Sequence, residues 1–259
     1  MDPHNTMDDK AFDLATAMAN LYKTMDYYVS LPPRTHQESD TYWDPTIDPD
    51  GQSRNRLKEE EAKAYLANIS QELEFIEGLT PGKILDVGCG PGWLLSAINP
   101  GWDKYGIEPS RIAGTIASAH ANIEIGTFEN AIIESEAFDL IVMYHVVEHM
   151  KNPVNTLKSV RSMLGAKGHM ILGTPDFDSG AARRYGANYR LLHDPTHISL
   201  FSSDSMHRLL RDIGFKIQKV EYPFFETSYF TRKPLLNLLS PHGISPPFYG
   251  NFMTFYCTV

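Results

Sequence analysis

The residues best able to do chemistry lie in one glycine-rich loop, residues 86–92, which reads DVGCGPG. An apolar run at 84–87 leads into the glycines and a second apolar segment at 93–98 follows them, a pattern that predicts a strand, a tight turn and a helix. The glycines allow a sharp turn and close approach of the backbone to a ligand. The N–H groups at the start of the following helix would face the same place. The loop therefore predicts a ligand site at the carboxyl end of the first strand.

The spacing of the glycines and the acid beside them restrict the kind of ligand. Gly88, Gly90 and Gly92 do not fit the Gly-x-Gly-x-x-Gly pattern of dinucleotide enzymes, because position 93 is Trp. Asp86 would also repel a pyrophosphate, whereas an acid beside the loop suits a ligand that carries an amino group. No Gly-Lys-Ser/Thr sequence follows the loop, which excludes a P-loop.

A second acidic residue stands at the end of the next predicted strand. Glu108 follows Gly88 by 20 residues, in the sequence YGIE at 105–108. A carboxylate at this position can accept hydrogen bonds from both hydroxyls of a ribose. A Glu of this kind can also be a solvated turn residue, but its spacing from the glycine loop favours a role in binding a nucleoside.

Short apolar runs recur after the loop and alternate with helical stretches. We predict seven strands, at 84–87, 105–107, 123–125, 138–143, 169–172, 215–220 and 253–259. Helices are predicted at 93–98, 110–120, 153–164 and 203–213. The predicted fold class is therefore α/β, a doubly wound, seven-stranded, mainly parallel sheet covered on both faces.

Two extensions flank this predicted domain, which we place at 80–259. Residues 1–79 form an N-terminal helical extension or lid, with an amphipathic helix at 9–28, an irregular segment at 31–55 and a second helix at 56–78. Residues 223–250 are too long for a hairpin turn, and we predict an insertion near the acceptor site, before the last strand. Aromatic side chains in both extensions could line an acceptor pocket or pack the extensions onto the sheet.

Composition excludes several classes of protein. The net charge of −9 and the lack of a dense Lys/Arg stripe argue against a nucleic-acid partner. Only two cysteines occur, Cys89 and Cys257, which excludes a disulfide framework and favours a reducing compartment. We find no apolar run long enough to span a membrane and no secretion signal in the polar N-terminus, so a cytoplasmic location is expected.

The order of motifs resembles that of the class I S-adenosylmethionine-dependent methyltransferases, and more narrowly their small-molecule branch of quinone, sugar and natural-product enzymes. The resemblance covers about residues 80–220 and the final strand. It is carried by the motifs at 84–92, 105–110, 138–153 (FDLIVMYHVVEHMKNP), 164–175 (LGAKGHMILGTP) and 193–201 (HDPTHISLF). These motifs are specific for fold and cofactor and weak for substrate.

The resemblance implies S-adenosylmethionine as cofactor, S-adenosylhomocysteine as product and a set of binding residues. The residues implied are Asp86, Gly88, Cys89, Gly90, Gly92, Glu108, Pro109, Thr127, Phe128, Tyr144 and His145. Glu108 would hold the ribose, and Asp86 would support the loop and the amino end. Thr127 stands where the family often has an acid, so contacts to adenine would come from backbone groups or from Phe128. Tyr144 and His145 would lie near the sulfonium.

Methyl transfer to a hydroxyl requires alignment of the acceptor and removal of its proton, a task for which histidine is suited. We predict His145 as the first candidate base and His197 as the second, while a structural role stays open for each. His193 and Asp176 are weaker candidates, and His149 is expected to pack or cap a helix. The histidines at 145/149 and 193/197 have metal-ligand spacing, but Pro195 interrupts the second pair and we predict no metal site.

The resulting functional prediction is a methyltransferase that acts on a small-molecule acceptor. The leading hypothesis is O-methylation of a hydroxyl on a sugar, a quinone or a secondary metabolite. N- or C-methylation stays open, because the transfer geometry is the same. A non-catalytic cofactor-binding protein ranks lower because the glycine loop is intact. An aminopropyl transferase also ranks lower: Asp176 and Asp178 could hold a polyamine, but His145 and the aromatic residues suit a less cationic acceptor. The expected partners are a small molecule and, at most, a second copy of the chain, as a monomer or homodimer.

Overall fold

The computed structural model describes residues 26–31, 43, 46–47, 53–54, 57–131, 138–194, 196–223 and 251–259. A seven-stranded sheet dominates these residues. Its strands are β1 (Lys83–Val87), β2 (Asp103–Glu108), β3 (Asn122–Ile125), β4 (Phe138–Tyr144), β5 (Leu164–Pro175), β6 (Lys216–Glu221) and β7 (Phe252–Thr258). All seven coincide with the strands predicted from apolar runs, and β5 is longer than predicted.

The strand order is β3-β2-β1-β4-β5-β7-β6. Strands β1 to β5 pair in parallel, and β7 pairs antiparallel with both β5 and β6. The prediction of a doubly wound, mainly parallel sheet of seven strands is therefore confirmed. Because the five parallel strands run the same way, the loops that leave β1, β2 and β4 lie at one edge of the sheet.

Seven helices occur among the described residues. They are α1 (Glu59–Asn68), α2 (Ser70–Glu77), α3 (Trp93–Ala97), α4 (Arg111–Ala117), α5 (Pro153–Met163), α6 (Gly180–Tyr185) and α7 (Ser203–Ile213). The helix predicted at 56–78 is wrong as a single element, because Ile69 leaves helical geometry with φ −101° and ψ 23°. Ile69 and Ile76 are both buried in the core on one face of the sheet. Helix α6 was not predicted.

The two faces of the sheet are covered by different helices. Leu140 and Val142 of β4 pack in one core with residues of α1, α2 and α3, whereas Ile141 and Met143 pack in the other core with residues of α5 and α7. Successive residues of a strand point to opposite faces. This explains why the central strands read as continuous apolar runs in the sequence.

The N-terminal extension is described only in part. Residues 26–28 are not helical, so the predicted helix at 9–28 is wrong at its end, and its other residues lie outside the described part. Within the segment predicted as irregular, Thr46–Ile47 pairs antiparallel with Ser53–Arg54. A further short pair joins Val29–Ser30 to Ser199–Leu200 and carries Leu31 into a third core under the loop after β5.

The predicted insertion at 223–250 lies outside the described residues except for Pro223. The strands on either side of it, β6 and β7, pair with each other antiparallel. In the described part of the chain, we find no helix whose length and hydropathy would let it cross a bilayer.

Candidate active site

The glycine loop has the backbone conformation that its sequence predicts. Gly88, Gly90 and Gly92 have φ values of +71°, +53° and +79°, in the region that favours glycine. The amides of Gly88 and Cys89 donate hydrogen bonds of 2.8 and 3.2 Å to the carbonyl of Ile107. These bonds fasten the turn after β1 to the end of β2.

The three glycines accommodate different neighbours. A Cβ at Gly88 would lie 2.5 Å from Val146, and one at Gly90 would lie 2.8 Å from the ring of Trp43. A Cβ at Gly92 would lie 3.0 Å from Ala117 of α4, so this glycine brings α3 against α4. The lack of a side chain at Gly88 and Gly90 therefore leaves room for Val146 and Trp43 against the loop, whereas Gly92 lets α3 pack against α4.

Cys89 lies in the loop but its side chain packs into the core. The side chain is 7% exposed, and a Cβ at Gly106 would lie 2.8 Å from its Sγ. Burial raises the pKa of the thiol far above its usual range. Cys89 is accordingly a packing residue with an unreactive thiol.

Glu108 lies against the loop, as the sequence predicted. Its Oε2 accepts a 2.9 Å hydrogen bond from the amide of Gly90, and its Oε1 accepts a 2.8 Å bond from the amide of Ser110. The carboxylate is 5% exposed. Pro109, between these contacts, is exposed, and Ser110 caps α4 by accepting a bond from the amide of Ala113.

Asp86 is the second buried acid of this edge. It is 3% exposed, and burial, followed by the charge of Glu108, raises the pKa of its carboxyl to about 8. Two acids held close in a poorly solvated place favour the approach of a cationic group. Such a group would lower the pKa of Asp86 and stabilise its charged form.

Two aromatic residues that the sequence analysis did not assign to the site, Tyr65 and Trp93, lie beside the loop together with Trp43 of the N-terminal extension. The rings of Tyr65 and Trp93 are 5.5 Å apart, and those of Trp43 and Trp93 are 5.9 Å apart in an edge-to-face arrangement. Burial and the charge of Asp86 raise the pKa of the Tyr65 hydroxyl. Helix α1 thus contributes a side chain next to Asp86, which no local signal in the sequence would reveal.

The turn after β3 lies beside the end of β2. The amide of Gly126 donates a 3.0 Å bond to the carbonyl of Glu108, and the 3₁₀ turn Phe128–Asn130 follows. Thr127 is exposed, whereas Phe128 is 8% exposed and packs in the core. The predicted contact of these residues with adenine stays a prediction.

His145 follows β4 in a strained backbone conformation. Its φ of +59° is the only positive value at a non-glycine residue in the described part of the chain. Its amide donates a 2.8 Å bond to the carbonyl of Gly173, and its ring lies 4.6 Å from that of Tyr144 and 4.9 Å from that of Phe252. Conformations of this kind persist where surrounding contacts impose them and are frequent at functional sites.

Comparisons with known proteins agree with this geometry. Residues 57–220 match a family described as "Methyltransferase domain". The chain belongs to this methyltransferase family. Its curated relatives include the ubiquinone biosynthesis O-methyltransferases of Aliivibrio fischeri, at 30% identity over 41% of this chain and 49% of that protein, and of Acinetobacter baylyi, at 29% over 56% and 68%. The chain spans about half the length of the first of these relatives.

Solved structures with the same fold include a crystal structure from Thermotoga maritima titled a SAM-dependent methyltransferase, possible histamine N-methyltransferase. It is 25% identical and superimposes with a TM-score of 0.55, covering 75% of this chain and 90% of the other. The cofactor of the family is S-adenosylmethionine.

A buried cluster of side chains lies next to His145. Glu148 is fully buried, and its Oε1 lies 3.4 Å from Nδ1 of His145 and 4.0 Å from Nε2 of His149. The rings of His149 and His197 are 4.9 Å apart. Although burial raises the pKa of Glu148, its contacts with these histidines lower it to about 2.

His197, the second candidate base, is placed differently from His145. It is 6% exposed, and burial lowers its pKa to about 4. Its Nδ1 lies 2.7 Å from the carbonyl of Leu191. A ring so enclosed is poorly placed to take a proton from an acceptor, so we retain only His145 as candidate base.

The contacts of His193 and Asp176, the two weaker candidates for the base, indicate structural roles. His193 is exposed, its Nε2 lies 3.0 Å from the carbonyl of Ala187, and the structure pairs His197 with His149 instead. Asp176 is 1% exposed and accepts a 2.9 Å bond from the amide of Asp178. Burial raises the pKa of Asp176 to about 7. Its position and contacts indicate a residue that shapes the turn after β5.

Proposed function

We propose that this chain transfers a methyl group from S-adenosylmethionine to a hydroxyl group of a small molecule. The observation that carries the proposal is the arrangement of the glycine loop and Glu108. Three glycines at positive φ shape the turn after β1, and the carboxylate that ends β2 contacts that turn directly. Family membership supports the cofactor, and the topology places both features at the carboxyl edge of parallel strands.

The charges of the residues at this edge fit the cofactor. The backbone of the turn at Gly88 and Gly90 would face its methionine and ribose parts, as the resemblance to the family implies. Glu108 would accept hydrogen bonds from the ribose hydroxyls, and the buried acid Asp86 favours the amino end. When bound, S-adenosylmethionine supplies a methyl carbon activated by the adjacent positive sulfur.

His145 is the residue that we propose to receive the proton of the acceptor hydroxyl. A proton on its Nδ1 would face Oε1 of Glu148 at 3.4 Å, so Nε2 is the atom that can accept a proton. The contact with Glu148 and the packing against Tyr144 and Phe252 orient the ring. An oriented base lowers the barrier because no reorganisation is needed in the transition state.

The relatives support oxygen as the methylated atom. Two of the curated relatives named above are O-methyltransferases of ubiquinone biosynthesis, which favours a hydroxyl on a quinone-like ring over a sugar or another metabolite. The Thermotoga maritima structure, titled a possible histamine N-methyltransferase, supports N-methylation as the second candidate. A neutral phenol and a cationic amine differ in charge, so a panel that contains both classes separates the two functions.

The cofactor is tested first, by calorimetric titration of the chain with S-adenosylmethionine, S-adenosylhomocysteine and NAD. We expect binding of the first two and no heat with NAD. Replacing Glu108 by Gln should weaken binding of both sulfur compounds by about 10-fold or more, since one hydrogen-bonding charge is lost. Asp103→Gln, at the opposite end of β2, is the control. Heat with NAD alone would overturn the proposal.

The transfer itself is tested by release of S-adenosylhomocysteine with a panel of phenols, sugars and amines. We expect turnover with a hydroxylated acceptor. His145→Ala should slow it by about 100-fold or more, while cofactor affinity stays nearly unchanged. His193→Ala, in an exposed histidine, is the control and should keep full activity. A His145→Ala variant as fast as the parent chain would remove His145 from the mechanism.

A further inference from the structure

The strongest unassigned feature is a cluster of three potential metal ligands at the carboxyl end of β4. Glu148, His149 and His197 each offer one ligand atom, and these atoms all lie within 4.8 Å of one another. Glu148 and His197 are buried and His149 is half-buried. We refer to these three residues as the Glu148 cluster. Residues 148 and 149 come from the turn after β4, and residue 197 comes from the loop before α7.

Both histidines of the cluster are held in one tautomer by backbone carbonyls. Nδ1 of His149 lies 3.0 Å from the carbonyl of Thr196, and Nδ1 of His197 lies 2.7 Å from the carbonyl of Leu191. A carbonyl oxygen can only accept, so Nδ1 carries the proton in each ring and Nε2 carries the lone pair. Metal-binding histidines in proteins show this pattern, in which the other ring nitrogen donates to a carbonyl or carboxylate.

The carboxylate of Glu148 is placed to complete a ligand set. Its Oε2 accepts a 3.0 Å hydrogen bond from Thr174 Oγ1. Its Oε1 is buried and, among the described residues, receives no hydrogen bond of good geometry. Oε1 lies 3.4 Å from Nδ1 of His145, too far for a strong hydrogen bond, and 4.0 Å from Nε2 of His149, which carries a lone pair. A cation between Oε1 and the lone pairs of His149 and His197 would stabilise the buried charge of Glu148.

A fourth potential ligand atom, a carboxylate oxygen, lies at the edge of the Glu148 cluster. Oδ2 of Asp194 is 3.9 Å from Nε2 of His197, while Oδ1 accepts a 2.9 Å bond from the amide of Thr196. Two carboxylates and two neutral imidazoles would balance the charge of one divalent cation. The donor set contains two nitrogens, which suits zinc and related ions better than magnesium or calcium, since the latter prefer oxygen ligands.

We propose that the Glu148 cluster binds one divalent ion of the zinc class. Ligand atoms around a tetrahedral zinc are about 3.3 Å apart, given bonds of about 2.0–2.2 Å. Binding would thus draw together side chains that now lie up to 4.8 Å apart. The sequence analysis predicted no metal site because it considered only the histidine pairs 145/149 and 193/197. The contact of His149 with His197 is visible only in the structure.

The ion would fasten the loop before α7 to the end of β4. The same two segments are already joined by backbone and side-chain bonds, from the amide of Ile198 to the carbonyl of Glu148 at 2.9 Å and from Ser199 Oγ to the carbonyl of Met150 at 2.8 Å. Because Glu148 also contacts His145, a bound ion would fix the carboxylate that orients this ring. The inference rests on the ligand geometry and does not depend on the acceptor or on methyl transfer.

The test uses the full chain without an affinity tag, stripped with a chelator and then dialysed against Zn²⁺. Elemental analysis should find about one zinc per chain, and competition with a chromophoric chelator should give its affinity. His149→Asn and His197→Asn should each weaken binding by about 100-fold or more. His193→Asn is the matched control. His193 is exposed and lies in the same loop as His197, and its variant should bind zinc as the parent chain does.

Folding and ion class are controlled in the same experiment. Circular dichroism spectra of the variants establish that they fold, and Zn²⁺ should raise the melting temperature of the parent chain and of His193→Asn only. The half-buried position of His149 makes its Asn variant the one best able to fold. No stoichiometric zinc in the parent chain, equal affinity in all variants, or binding of Mg²⁺ in preference to Zn²⁺ would each overturn the proposal.

Discussion

At the scale of single residues, the candidate site depends on backbone positions that only glycine tolerates. Gly90 has a φ of +53°, its amide donates to Glu108, and the ring of Trp43 occupies the space where a side chain would begin. Glycine enters this conformation without the steric cost that a Cβ imposes. The residue therefore joins three features of the site: the turn, the acid that ends β2 and the N-terminal extension.

We predict that Gly90→Ala weakens cofactor binding by about 10-fold or more, because a left-handed alanine costs about 1–2 kcal/mol and displaces Trp43. Gly126→Ala is the matched control. It lies in a neighbouring loop, has no positive φ, and a Cβ there meets nothing within 4 Å. Calorimetry with S-adenosylhomocysteine measures both. Equal affinities would show that the close fit at Gly90 does not matter for binding.

At the scale of elements, a buried acid joins the helical extension to the last strand. Glu72 of α2 is 3% exposed, and its Oε1 accepts a 3.0 Å hydrogen bond from Thr254 Oγ1 of β7. Burial raises the pKa of Glu72 above its usual 4.5, and the charge of Glu221 on β6 adds to this effect. The position of α2 on the sheet is thus linked to the protonation of one carboxyl group.

The sign of this linkage gives a pH prediction. Because the pKa of Glu72 is higher in the folded chain, the folded state binds more protons than the unfolded state above about pH 4.5, and stability falls as pH rises through the raised pKa. Glu72→Gln keeps an acceptor for Thr254 and removes the charge. We expect its free energy of unfolding, from urea titrations, to fall less steeply between pH 5 and 8 than that of the parent chain.

The exposed Glu74, two residues along α2, supplies the control for this prediction. Glu74→Gln makes the same chemical change on the solvent side of the helix and should follow the parent chain at every pH. If Glu72→Gln and Glu74→Gln gave the same pH profile, the buried contact with Thr254 would not contribute to the pH dependence of stability.

At the scale of the whole molecule, the sheet order predicts a gradient of local stability. Strands β1, β4 and β5 are paired on both sides, and the central strands are almost wholly buried, whereas β3 pairs with β2 alone and is mostly exposed. In native-state hydrogen exchange, we expect amides of β1 and β4 to exchange at least about 100-fold more slowly than those of β3. Equal rates across the sheet would contradict this placement of the core.

Local patterns in the sequence determined the strands, the glycine turn and the place of Glu108. The strand and the glycine turn depend mainly on residues close together in the sequence. Parallel pairing of β1 with β2 then brings Glu108 to Gly90. The single helix predicted at 56–78 is interrupted at the buried Ile69, where the sequence has no helix-breaking residue and tertiary context decides the backbone conformation. That choice depends on contacts distant in the sequence.

Tertiary structure alone decided which side chains meet around these elements. His149 and His197 are 48 residues apart, and their contact arises because the loop before α7 returns to the end of β4. Tyr65 reaches Trp93 and the neighbourhood of Asp86 because α1 packs on the same face of the sheet as α3. Periodicity specifies the face that an element buries, but the partner on that face is set by packing of the whole chain.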